Sequence, residues 1–163
     1  MSYPMGPDGA EFEKFLANLT VVTRLAGETV LSAELKTDLL LILKKGAVVV
    51  LKDSVEIARV AQLGAVFGEL SALLEQPHTA EVRALEDSQF YVADAELLEK
   101  DPSVLLYVAK TLAQRLVDAN TGLIELKKQI QADQSRSVLD KTLERIQQKL
   151  APWGRPTGFE PGL

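Results

Sequence analysis

The chain offers few of the residue types that most often perform chemistry. It holds a single histidine, His78, and no cysteine, against 23 aspartates and glutamates. With no thiol and one imidazole, most nucleophile–base pairs are out of reach, as are thiolate and histidine metal sites. No Gly-x-Ser-x-Gly elbow, Gly-Lys-Ser/Thr phosphate loop or His-Glu-x-x-His motif occurs. The acids could pair for general acid–base work, but no pair stands out by spacing. No catalytic residues and no metal site are expected, which leaves recognition as the chemistry to look for. Its expected place is Gly68 to Leu74, a short helical turn that interrupts a long run of strand-like segments.

The elements that must hold this turn are legible around it. Phe12, Phe15, Leu16 and Leu19 recur at helical spacing and predict a short helix over Ala10–Leu19. From Val21 to Val92, short apolar or β-branched runs alternate with turn residues, as in an antiparallel sandwich or barrel. The expected strands are Val21–Arg24, Thr29–Leu31, Leu39–Leu43, Ala47–Leu51, Val55–Val60, Thr79–Leu85 and Gln89–Val92. Gly46 lies between two of them, where a positive φ is cheap for glycine. Lys52-Asp53-Ser54 and Glu86-Asp87-Ser88 read as tight loops.

Beyond Val92 the pattern is helical. Asp94 can cap a short helix through Leu98, and Asp101-Pro102 is a second start signal, an N-cap acid followed by proline. The long helix that follows carries Leu105, Ala109, Leu112, Leu116, Ala119, Leu123, Leu126 and Ile130 at alternating spacings of four and three. That is a heptad seam. Its first half is expected to pack on the β domain. At about 1.5 Å per residue the seam is close to 40 Å long, and its second half predicts a helical partner, most simply a second copy. A homodimer through Leu105–Ile130 is the expected assembly, with a protein partner as the other possibility. The expected division is a flexible leader over 1–9, a domain over 10–130, an additional helix over 131–150 and a flexible tail over 151–163.

Composition sets outer bounds. A net charge of −5 argues against a dedicated nucleic-acid binder, which presents a basic face. No apolar run reaches the roughly 18 residues of a membrane span, and the N-terminus lacks a basic-then-apolar secretory pattern. A cytoplasmic protein is the expectation.

The segment VFGELSALLEQPHTAEVRALEDSQFYV resembles the phosphate-binding cassette of the cyclic-nucleotide-binding domain family. The family pattern runs Phe-Gly-Glu-Leu/Ile-Ala/Ser, then Arg-Ser/Thr-Ala and a Thr-Val-Arg-Ala strand. Here it reads Phe67-Gly68-Glu69-Leu70-Ser71, then His78-Thr79-Ala80 and Glu81-Val82-Arg83-Ala84. His78 follows Glu69 by nine residues, the common family spacing from glutamate to arginine. Gly27-Glu28, Gly46 and Gln62-Leu63-Gly64 are similar to flanking family features, so the match runs from about Leu19 to Ile130. The resemblance implies an α+β fold, an antiparallel β-barrel or jelly roll of about eight strands with an N-terminal helix and C-terminal helices. It also implies a ligand, cAMP or cGMP, and no tightly held cofactor.

By that resemblance, Gly68 permits close backbone approach, and Leu70 and Ser71 present N–H groups to a cyclic phosphate. Glu69 would accept from the ribose 2′-hydroxyl, and Thr79 would add a donor. Phe67 and Ala80 complete the ligand-binding set, with Arg115 or Asn120 of the long helix as candidates to close the pocket.

The departure is His78, where the family places arginine. Arginine carries a permanent charge in a planar fork, whereas neutral imidazole offers one N–H. Glu75 and Glu81 would add negative potential if they face the cassette. Two readings of His78 remain open, an exposed loop residue beside Pro77 and a pH-linked ligand contact. The leading functional expectation is a degenerate, non-enzymatic interaction module with weak or no cyclic-nucleotide binding. The alternative is a working sensor that signals through the C-terminal helix. A transcription factor of this kind is not expected, because 33 residues after Ile130 are too few for a helix-turn-helix domain.

Overall fold

A computed structural model of the chain describes residues 9–132, 141–146 and 149. Residues 1–8 of the leader expected over 1–9 and the tail expected over 151–163 lie outside the described residues, as does much of the additional helix expected over 131–150. The chain divides into two compact units, Met1–Leu112 and Ala113–Leu163.

The elements of the first unit are α1 (Gly9–Ala17), β1 (Thr20–Arg24), β2 (Thr29–Leu31), β3 (Leu39–Lys45), β4 (Val48–Lys52), β5 (Val55–Val60), β6 (Val66–Phe67), α2 (Glu69–Leu74), β7 (Glu81–Ala84), β8 (Ser88–Asp94) and α3 (Leu97–Lys100). They are followed by α4 (Pro102–Ala132), which begins in the first unit and continues into the second. The strands form two four-stranded antiparallel sheets, in the orders β1-β8-β3-β6 and β2-β7-β4-β5. This is the expected α+β jelly-roll architecture, with one correction. The described strands do not close into a barrel, because β1, β6, β2 and β5 each end a sheet with one neighbour.

The run Leu39–Leu43 explains how the layers stack. Alternate side chains of a strand point to opposite faces. Leu41 and Leu43 enter the core between the sheets with Val30, Val48, Val82 and Phe90. Leu40 and Ile42 face the other way, into a second core with Phe12 and Leu16 of α1, Leu98 of α3 and Val104 and Val108 of α4. A strand covered on both faces needs an unbroken apolar run, which is what the chain supplies.

Turn chemistry fixes the connections. Asp53 and Ser54 both take positive φ, 50° and 64°, in the two-residue loop of the β4–β5 hairpin. That is the type I′ geometry matched to strand twist. Gly46 has φ 99°, and a β-carbon there would overlap the Ser88 side chain. Ser88 is fully buried, and its hydroxyl bridges the Ala47 backbone and the Glu86 carbonyl.

The start of α4 follows its signal. The Asp101 carboxylate accepts from the Ser103 N–H at 2.9 Å, with Pro102 as the first helical residue. Asp94 likewise accepts from the Glu96 N–H at 2.8 Å ahead of α3. The face that α4 buries overlaps the expected seam in the first unit only at Leu112, which is half-buried against the second core. Val104 and Val108 enter the core, while Leu105, at 41% exposure, and Ala109 of the heptad seam face solvent. In the second unit Leu116 and Leu126 are exposed, Leu123 is half-buried and Ile130 is buried. Residues 141–146 are helical, with Leu143 buried.

Candidate functional site

The cassette is assembled by a corner. Strand β6 brings Val66 and Phe67 into antiparallel register with Ile42 and Leu41, and the chain then turns at Gly68, φ 93°, into α2. A side chain on Gly68 would run into the Leu39 carbonyl oxygen, so this corner seats directly on the start of β3. Only glycine meets both demands, the left-handed backbone and the close approach. Two-residue β6 went unrecognised in the sequence, where it merges with the run leading into the cassette.

Helix α2 is closed by its own serine. Ser71 is buried, and its hydroxyl donates to the Gln76 carbonyl at 2.6 Å, while the Ser71 carbonyl accepts from the Gln76 N–H at 3.2 Å. Glu75 ends the helix with a left-handed φ of 52°. The Ser71 hydroxyl thus holds the turn in shape. Glu69 is 2% exposed, an unusual burial for a carboxylate in the first turn of a helix. Leu70 lies on the outside, with Leu73 and Leu74.

His78 is the central finding. Its exposure is 7%, so the reading of an exposed loop residue is corrected. The reason is a clamp of long sequence range. The His78 N–H donates to the Leu35 carbonyl at 2.9 Å, and the His78 carbonyl accepts from the Glu34 N–H at 2.9 Å. Strand β7 begins at Glu81 rather than at the expected Thr79. The side chain adds a third tie, for Nε2 and the Thr37 hydroxyl share a hydrogen bond at 2.9 Å. The imidazole Cε1 lies 3.8 Å from where a β-carbon on Gly68 would sit, so the ring stands beside the cassette glycine. Burial lowers the His78 pKa below the usual histidine value, with no opposing charge among the causes. The imidazole is therefore neutral at pH 7.

The other candidates divide. Phe67 belongs to the inter-sheet core, edge-on to Phe90 at 6.4 Å between centroids. Thr79 is exposed and Ala80 half-buried. Glu81 is engaged by Arg83 at 2.7 Å, so its charge is partly answered on its own strand. Arg115 and Asn120 belong to the second unit, the former half-buried and the latter exposed.

A contact absent from the sequence reading ties α4 to the cassette approach. Tyr107 stacks on Phe12 with ring centroids 4.1 Å apart, and its hydroxyl donates to the Gly64 carbonyl at 2.5 Å. Gly64 stands two residues ahead of β6.

The comparisons with known proteins agree with this architecture. The family model described as a cyclic nucleotide-binding domain matches residues 21–100. Among solved structures, a cyclic nucleotide-binding domain from Methylobacillus flagellatus KT aligns with a TM-score of 0.63 at 23% identity, over 72% of each chain. The Thermus thermophilus catabolite activator protein aligns with a TM-score of 0.61 at 23% identity, over 76% of this chain. The chain spans 61% of the length of that protein. A PKAR CBD2 module bound to Sp-2Cl-cAMPS aligns at 0.54 and 25% identity, over 72% of this chain and 81% of its own. No curated protein matches the chain significantly.

Proposed function

The chain belongs, through residues 21–100, to the cyclic nucleotide-binding domain family, and on that footing we propose a non-enzymatic regulatory or interaction module whose cassette holds cAMP or cGMP weakly or not at all at neutral pH. The observation that carries the reading is the buried imidazole beside Gly68, whose burial disfavours the charged form. A cyclic phosphate is an anion, and His78 supplies no permanent charge against it. The chain's own donor set fits the nucleotide only in part. The left-handed backbone of Gly68 and the burial of Glu69 support such a cassette, whereas Thr37 already engages one nitrogen of the ring.

The surroundings support an interaction role. Leu35, Leu39, Leu70, Leu73 and Leu74 are all exposed, on the segment clamped to His78, at the start of β3 and on α2. A cluster of exposed leucines on these neighbouring segments favours a protein contact over a small polar ligand.

The seam on α4 supports homodimerisation. Its residues keep heptad spacing, and Leu105, Leu116 and Leu126 remain exposed while a different face, Val104 and Val108, packs on the first unit's core. Heptad order is wasted on solvent and is used by a second helix of the same period. A cytoplasmic setting is in keeping with the cysteine-free composition. No helix among the described residues is long and apolar enough to cross a membrane.

Calorimetry of the full chain with cAMP and cGMP at pH 7.5 tests the cassette reading. The expected result is no measurable heat, or dissociation constants weaker than about 100 µM. Affinity tighter than about 1 µM for either nucleotide overturns it.

A further inference from the structure

We propose that the cassette is a proton-linked anion site, in which a singly charged nucleotide phosphodiester enters together with a proton on His78, so that mild acid opens a site which neutral pH keeps closed. The inference rests on the reading above that this corner is a nucleotide cassette. It goes further in assigning the histidine a conditional charge where that reading only removes a permanent one.

Three features of the geometry carry it. The ring is fixed in place, with its main chain clamped to Glu34 and Leu35 and its Nε2 tied to the Thr37 hydroxyl. The ring is beside Gly68, the glycine of the cassette turn, with Cε1 3.8 Å from where a β-carbon there would sit. Third, Nδ1 has no partner among the described residues. No sealed side-chain nitrogen or oxygen among them lacks a partner, so Nδ1 reaches solvent. A protonated imidazole donates from both nitrogens. With Nε2 turned to Thr37, Nδ1–H is the donor left for an anion.

The charges on the neighbouring elements do not supply this cation by other means. The clamped segment carries Glu34, Lys36 and Asp38, all exposed. The cassette carries Glu69, which is buried, and Glu75, which is exposed, and the strand that follows carries Glu81. Five of these six are acids, which repel an anion, and burial is the sole cause moving the His78 pKa. In the ligand-free protein the ring therefore sheds its proton below the ordinary histidine value near 6.5. A bound phosphodiester raises that pKa, because it favours the charged form. Between the free and bound values, each added pH unit weakens binding by up to about tenfold. Below the free value the affinity levels off at its highest.

The test is calorimetry of the full chain with cAMP at pH 5.5 and pH 7.5, on the native protein and on His78→Gln. The expected result is binding about tenfold or more tighter at pH 5.5 for the native chain, and no such difference for the variant. Equal affinity at both pH values overturns the proposal, as does a pH dependence that survives in His78→Gln. Absence of binding at either pH overturns it too, while leaving the weak-cassette reading intact. Tight binding at pH 7.5 overturns that reading, and both fall if the affinity is also flat with pH. Should His78→Gln fail to fold, proton NMR of the native chain's lone histidine decides. Its titration midpoint rises when cAMP is added at saturating concentration, and a midpoint that does not move overturns the proposal.

Discussion

Replacing His78 with arginine is expected to tighten cAMP binding at pH 7.5 by about ten- to a hundred-and-fifty-fold. A charge-assisted hydrogen bond contributes about 1.5–3 kcal/mol, and that range sets the two limits. The site is favourable for the change in one respect, since the ring already stands beside Gly68. It is unfavourable in another, because the histidine is 7% exposed and a longer side chain must leave the Thr37 hydroxyl to reach the phosphate. Calorimetry with cAMP on native and variant chains reads the difference. A gain means that the missing cation is the main defect of the cassette. No gain means that the fold keeps the shape of a nucleotide site while further contacts have also gone, which favours the protein-interaction role.

The second large effect is expected on assembly. In the proposed dimer, changing Leu116 and Leu126, both exposed, together to glutamate is expected to give a monomer. Burying a leucine contributes about 1.5–3 kcal/mol. Four leucines meet at a two-fold interface, so the pair of changes removes about 6–12 kcal/mol of burial. That is several orders of magnitude in the dimer's dissociation constant. Light scattering at micromolar concentration measures it, with Val117→Glu as the control. Val117 is exposed on the same helix but lies off the heptad seam, so its change leaves the dimer in place. A native chain that is already monomeric contradicts this part of the account.

These predictions draw unequally on sequence and structure, for physical reasons. The strand at Leu39–Leu43 was legible because five consecutive apolar residues bounded by polar ones admit few other readings. The start of α4 was legible because Asp101-Pro102 satisfies the first helical N–H groups locally. The cassette corner was legible as a motif, since Gly68 takes a backbone that few other residues adopt. What escaped were features fixed by residues distant in sequence. His78 is buried by a segment 41 positions earlier at Thr37, and nothing adjacent to Pro77 announces that contact.

The helix shows the same limit from another side. Periodicity reveals that α4 has an apolar seam, but it does not say which face meets the core. Tertiary packing selected Val104 and Val108 instead, and so left most of the seam to solvent. The Tyr107 contact was equally out of reach, because it depends on where Gly64 arrives in space. It places a polar link between the first turns of α4 and the strand that leads into the cassette. Ligand or proton at His78 would thus act on a corner already joined to α4.

The account as a whole turns on the charge state of one ring in the ligand-free protein. Proton NMR can follow that ring without ambiguity, because the chain has only one histidine. The predicted result is a titration midpoint below the ordinary value near 6.5, with the ring neutral at pH 7. A midpoint above 7 would mean that the imidazole is already a cation at neutral pH, and the cassette would then hold the charge that this account denies it.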